Sequence, residues 1–224
     1  MTDPDEALRF LALLGKDPSA TWFRTIRPGK RANSSRKGKD LQGFDAAALA
    51  ADSAAGDNLY LVVANASKAT GQAISDQDVE SCPALFAEWD TGTTEEQLQI
   101  ITRSGLPEPS ILLHTGGKSL HAYWVLVEPI AAKRWKQLTA QLIALTGSDP
   151  QCSNPSRVMR LAGGTYYDKQ TGKATGQARI ISAGGHRYDA EAIIPACPPE
   201  QPTAESRSLL SSSPGRAAQP PAPF

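Results

Sequence analysis

The sequence predicts an α+β (α/β) domain built on a mixed β-sheet, and three observations lead there. Short β-rich runs alternate with amphipathic helical runs along most of the chain. Two of the strands are separated only by a Gly-Gly turn, which makes a hairpin and not a crossover. A strand of interior character, CPALFAEWD at residues 82–90, ends in two carboxylates. Alternation of strands and helices favours a sheet with helices packed on it, and the hairpin puts an antiparallel pair into that sheet.

The elements follow in order. Residues 3–15, DPDEALRFLALLG, carry acids in the first turn, apolar residues at helical spacing and a terminal glycine, the pattern of a short helix. Residues 21–40 read as a basic loop, dense in Lys and Arg, with Asp40 as its one acid. NLYLVVAN (58–65) reads as a buried strand that turns at Asn65. ATGQAISDQDVES is polar, has room for a helical turn after Ser75, and leads into CPALFAEWD. In TGTTEEQLQIITRSG (91–105), Thr and Glu signal a helix start, Leu98 and Ile101 give the apolar stripe, and Gly105 stops it. PSILLHTGGKSLHAYWVLVEP is the hairpin, with strands at 110–114 and 119–127. IAAKRWKQLTAQLIALTG (130–147) is the longest amphipathic helix, closed by Gly147. SRVMRLAG and ARIISAGG supply two more short strands with Gly-rich exits. From Cys197 the chain is Pro- and Ser-rich and too poor in apolar residues to fold. The expected organisation is therefore one domain over residues 1–196 and a disordered tail or linker over 197–224, where a further domain could follow.

Lys plus Arg and Asp plus Glu each number 23, so no net charge advertises an anionic partner. The balance hides the basic run at 21–40, which reads equally as a phosphate-tracking stretch or a solvated loop. Cys82, Cys152 and Cys197 are widely spaced without any CxxC, which argues against a disulfide framework or a structural zinc site and fits a reducing cytosol. No apolar run approaches the ~18 residues of a membrane helix. The start, MTDPDEALRF, lacks the basic and apolar regions of a signal peptide. The expectation is a cytoplasmic protein with no membrane partner.

Three features carry chemistry. In EWD, alternation along a strand puts Glu88 and Asp90 on one face and Trp89 on the other. Two adjacent like charges call for a neutralising partner, such as a divalent cation, unless the strand simply runs out into solvent. In TGGKSLHAYW, Ser119 and His121 share a face behind Gly116, Gly117 and Lys118. In GSDPQCSNPSRVMRLAGG, Asp149 sits in a loop ahead of a strand carrying Arg157 and Arg160. Phosphoryl transfer with two metals uses about three carboxylates around the ions and basic groups on the triphosphate.

In order and wording these segments resemble the catalytic core of the archaeo-eukaryotic primase superfamily, especially the primase-polymerase modules of plasmids, phages and mobile elements. Members carry an acid-x-acid motif at a strand end, here Glu88 and Asp90; a Ser-x-His motif after a Gly-rich turn, here Ser119 and His121; and a later Asp, here Asp149, followed by RVMRLAG. The resemblance spans roughly residues 55–185. It departs in having Glu88 where Asp is commoner, and Ala162 where Pro is familiar. The resemblance implies an RNA-recognition-like sheet packed with an N-terminal α/β unit, with the active site in the cleft between them. It implies template-dependent nucleotidyl transfer, as DNA primase or DNA-directed polymerase, in replication of a plasmid, phage or mobile element. Glu88, Asp90 and Asp149 would hold two Mg²⁺ or Mn²⁺ ions, and Lys118, Ser119, His121, Arg157 and Arg160 would bind the nucleotide. Single-stranded DNA template and nucleoside triphosphates are the implied partners, with a helicase domain or replication protein as a further one.

Each role has a plainer alternative. SDP is an ordinary turn sequence, Lys118 could be a solvated turn residue, and hairpins use Gly-Gly for structure alone. Arg157 and Arg160, three apart on a strand, should point to opposite faces and not serve one phosphate unless a bulge intervenes. His114 reads as structural and His186 as a loop residue. Tyr60, Trp89, Tyr123 and Trp124 could stack bases or could be core. Two other functions compete. A rolling-circle nuclease needs paired His ligands and a Tyr on a helix, and the pair is missing here. A non-catalytic nucleic-acid-binding module has no use for three carboxylates.

Overall fold

The computed structural model describes residues 2–29, 40–68 and 73–194. The basic cluster at 31–39 and the tail from 197 lie outside the described residues. In chain order the elements are α1 (Pro4–Leu14), β1 (Trp22–Ile26), β2 (Leu41–Gln42), α2 (Ala46–Ala54), β3 (Asn58–Val62), β4 (Asn65–Ala66), β5 (Val79–Trp89), α3 (Thr94–Arg103), β6 (Ile111–His114), β7 (Leu120–Ile130), α4 (Ala132–Thr146), β8 (Val158–Arg160), β9 (Thr165–Tyr167), β10 (Ala174–Gln177), β11 (Arg179–Ala183) and α5 (Ala190–Ile193). Short 3₁₀ turns precede β5 (Asp76–Asp78) and follow α4 (Pro150–Ser153).

Helix boundaries sit where capping chemistry puts them. Asp3 caps α1 by accepting from the Glu6 N–H at 3.1 Å, and Gly15 closes it in the left-handed region. Thr93 and Glu96 form a reciprocal capping box on α3. Gly147 closes α4 at φ 63°. The basic stretch is not loop throughout: its start, WFRTI, is β1, paired antiparallel with β3. Arg density masks a β-rich run there, and the strand neutralises it locally. Arg24 holds the buried Asp40 through two bonds of 2.5 and 2.7 Å, and Arg27 reaches Asp57 at 2.9 Å. Helix α2 and the β9–β10 hairpin are further elements not anticipated from the sequence, although Asp45 ahead of an Ala-rich run is a readable N-cap.

Two sheets form the frame. One has the order β2-β1-β3-β8 and the other β11-β6-β7-β5-β4. The expectation of a mixed sheet reduces to one parallel bridge, Leu126 to Tyr188; the named strand pairs are antiparallel because each neighbour arrives by a hairpin or a return connection. Within the second sheet, β5–α3–β6–β7–α4 places β6-β7-β5 in the order of an RNA-recognition-like unit, with β4 closing the edge beside β5. The predicted hairpin is present, its register running from Ile111 opposite Tyr123 to His114 opposite Leu120.

The core lies between the second sheet and its helices. Trp135 of α4 packs on Phe86 with ring centroids 5.2 Å apart and donates its indole N–H to the Ala84 carbonyl at 2.8 Å. Tyr123 and Trp124 are fully buried, which makes them core and not base-stacking residues. Phe10 of α1 meets Tyr123 edge-on at 5.3 Å, joining the N-terminal helix to the sheet. Burial of such aromatic area supplies most of the stabilisation of a domain this size.

Candidate active site

Strand β5 runs through the core and delivers its last residues to a cleft. Trp89 turns inward, its indole N–H donating to the Thr146 carbonyl at 3.3 Å, while Glu88 and Asp90 line the cleft together. The alternation expected of EWD is thus realised. The cleft has a volume of about 700 Å³. Its lining includes Glu88, Asp90, Lys118, Ser119, His121, Arg157 and Arg160, so seven of the eight residues singled out from the sequence converge on it. Asp149 lies just behind that wall. Its N–H donates to the Glu88 carbonyl at 2.8 Å, which ties the 3₁₀ turn to the end of β5.

Register explains the pairing of the two motifs. Glu88 and His121 are direct cross-strand partners on β5 and β7, with His121 Nε2 at 3.3 Å from Glu88 Oε1. The other ring nitrogen, Nδ1, lies 3.1 Å from the Tyr123 hydroxyl. Both nitrogens of this buried histidine are therefore engaged within the chain. Ser119 donates to Asp90 Oδ1 at 2.6 Å. The Ser-x-His motif thus serves first to hold the acid-x-acid motif.

Arg157 Nη2 stands 3.5 Å from Asp149 and 3.9 Å from Glu88 and bridges the two carboxylates, while its Nη1 donates to Gln151 at 3.0 Å. Burial pushes the Glu88 carboxyl up, but His121, Arg157 and a bond with Asp90 more than offset it and bring its pKa to about 2. Glu88 is therefore a carboxylate at any working pH. Cys152, fully buried, has a sulfur that lies with oxygens of Glu88 and Asp149 inside 4.8 Å. Burial, followed by the nearby Glu88 charge, pushes its thiol up to about 12. Sequence spacing argued only against a structural zinc site and did not bring Cys152 to this place.

One expectation needs correction. Arg157 and Arg160 do not face opposite ways: both line the cleft, because Arg157 lies in the turn before β8 and escapes strand alternation. Gly116 and Gly117 let the chain pack closely against itself, a structural use of the Gly-Gly turn. A Cβ on Gly117 would lie 2.7 Å from the Tyr166 ring, and one on Gly116 would lie 2.7 Å from the Gln177 backbone. His114 is structural as expected, its Nδ1 accepting from the Gly116 N–H at 3.2 Å. His186 lies in the loop between β11 and α5. The residues missed are Tyr60, which was left between core and stacking, and Tyr166, Asp168, Lys169, Gln170 and Thr175 of the β9–β10 hairpin. That hairpin is short and polar, and nothing in its pattern points toward the cleft.

The AEP domain of the cyanophage S-2L primase-polymerase (PrimPol) is 37% identical to this chain and superimposes with a TM-score of 0.72, over 86% of this chain and 98% of that one. This chain belongs to the primase-polymerase family. Membership makes it a nucleotidyltransferase. The primase-polymerase fold also matches the primase RepB′, at a TM-score of 0.55 and 16% identity over 83% of this chain and 58% of that one. A catalytic domain of RepB′ in complex with initiator DNA gives 0.54 and 17%, over 83% and 87%. At these identities the likeness is one of fold. No family model and no curated protein matches the primase-polymerase chain. Among the described residues no helix is long and apolar enough to cross a membrane.

Proposed function

We propose that this chain carries out template-dependent nucleotidyl transfer, making or extending primers on single-stranded DNA during replication of a plasmid, phage or mobile element. The observation that supports this best is convergence. Acids from β5 and the basic and hydroxyl groups of the 115–121 segment and of residues 157–160 line one cleft. A binding surface for phosphates would gain nothing from the acids.

Glu88, Asp90 and Asp149 would hold two Mg²⁺ or Mn²⁺ ions. Oxygens of Glu88 and Asp149 lie inside 4.8 Å of each other, close enough to share an ion, and the Arg157 guanidinium beside them would give way to it. Bound ions lower the pKa of the attacking primer hydroxyl and stabilise the leaving pyrophosphate. The chain's own residues prepare this. His121 and Ser119 orient Glu88 and Asp90 from the neighbouring strand. Lys118, Arg157 and Arg160 offer cationic groups to a triphosphate, and Ser119 and His121 complete the nucleotide contacts. A helicase domain or replication protein would supply processive template access.

The test is synthesis on single-stranded DNA with labelled nucleoside triphosphates and Mn²⁺ or Mg²⁺, beside Asp90→Ala. Template-dependent product lost in the variant is the expected result. No product with or without a primer, together with DNA binding indifferent to metal, would replace catalysis with binding alone.

A further inference from the structure

Arg160 is only 4% exposed, yet it lines the cleft. Its Nε and Nη1 are buried without a hydrogen-bond partner among the described residues. Buried guanidinium donors are almost always satisfied, so two orphans on one residue point to an acceptor from outside the chain. The guanidinium Cζ lies 4.4 Å from the Tyr60 ring centroid and 5.0 Å from that of Tyr166. Tyr60 is the direct cross-strand partner of Arg160 on β3. Tyr166 comes from β9 and is held by the Gly116-Gly117 turn, where a Cβ on Gly117 would touch Cζ of its ring. Two aromatic rings thus flank the cation at the cleft wall, and guanidinium N–H groups match phosphate oxygens in geometry.

We propose that Tyr60 and Tyr166 are positioning residues that hold the Arg160 guanidinium for a phosphate of the bound nucleoside triphosphate, with the Gly116-Gly117 turn fixing Tyr166 in place. The inference rests on reading the cleft as a nucleoside triphosphate site. Neither tyrosine needs its hydroxyl for this, so the ring alone carries the role. The hairpin that supplies Tyr166 also brings Lys169 to the cleft. A template backbone carries the same phosphate chemistry, and the two arms of the titration separate it from the nucleotide.

The experiment titrates the full chain with inorganic triphosphate in the presence of Mn²⁺, and separately with a single-stranded oligonucleotide, by calorimetry. Y166L should weaken triphosphate binding about tenfold, the equivalent of about 1.4 kcal/mol and within the range of a desolvated cation–π contact. Y166F, which keeps the ring, should restore it, and oligonucleotide binding should stay as in the wild type. R160Q should weaken triphosphate binding at least as much as Y166L. Should Y166L fail to fold, G117A displaces the same ring from the other side and is expected to weaken triphosphate binding too, and Y60L removes the ring on β3. Wild-type affinity for triphosphate in Y166L or G117A, with R160Q weakened, overturns the positioning role while the triphosphate site stands. Loss of oligonucleotide affinity in place of triphosphate affinity overturns it by assigning Arg160 to the DNA backbone. No triphosphate binding by the wild type itself removes both this inference and the reading beneath it.

Discussion

Substituting Glu88 by Gln tests whether its charge is held by the neighbours named here. Burial favours the neutral acid, and His121 Nε2 at 3.3 Å and Arg157 Nη2 at 3.9 Å favour the carboxylate, with the outcome a pKa of about 2 against an ordinary 4.5. The folded value lies below the unfolded one, so Glu88 contributes stability above about pH 4.5 and loses it as the pH falls toward 2. The gap between those values, at about 1.36 kcal/mol per pH unit, is about 3 kcal/mol, most of it gone by about pH 2.5. The assay is urea unfolding followed by far-ultraviolet circular dichroism at steps from about pH 6 to about pH 2.5, with a chelator present, for wild type and E88Q. The wild type should lose about 3 kcal/mol more than E88Q over that range. Parallel pH profiles for the two proteins would refute the lowered Glu88 pKa, since Gln cannot titrate there.

Other outcomes follow from the same geometry. Adding Mn²⁺ at about 100 times its Kd should stabilise the chain by about 2.7 kcal/mol, read as a rise in Tm, and D149N should abolish most of the rise. G163A should cost about 3 kcal/mol or more by chemical denaturation, because Gly163 sits at φ 77° and an added Cβ would overlap the Asp3 carbonyl oxygen. W135F should cost about 1–3 kcal/mol in the same measurement, since it strips the indole donor from the buried Ala84 carbonyl. T93A should cost about 1 kcal/mol through the lost N-cap of α3, without changing nucleotide affinity.

The acid pair was readable because strand alternation is a local rule: once CPALFAEWD is a buried strand, Glu88 and Asp90 must share a face whatever the rest does. The same holds for Ser119 and His121 at the start of β7 and for the helices, whose caps are written in Asp3, Thr93 and Gly147. Local chemistry therefore determined the elements that carry the site, and the order of the motifs determined the family. Only tertiary structure decided which element meets which. Register, a property of two strands at once, set His121 opposite Glu88 and made it a partner of the acid. Chain closure brought Asp149 and the buried Cys152 behind the end of β5, a proximity that no spacing along the sequence encodes. The failure of alternation at Arg157 came from a turn that ends one residue before β8 begins, and a boundary of one residue is below what pattern can resolve. The β9–β10 hairpin was illegible for a different reason. Its residues are polar and its strands short, so what holds it is packing of Tyr166 on Gly117 and of Gly176 on Gly116, contacts between distant segments that exist only once the sheets have formed.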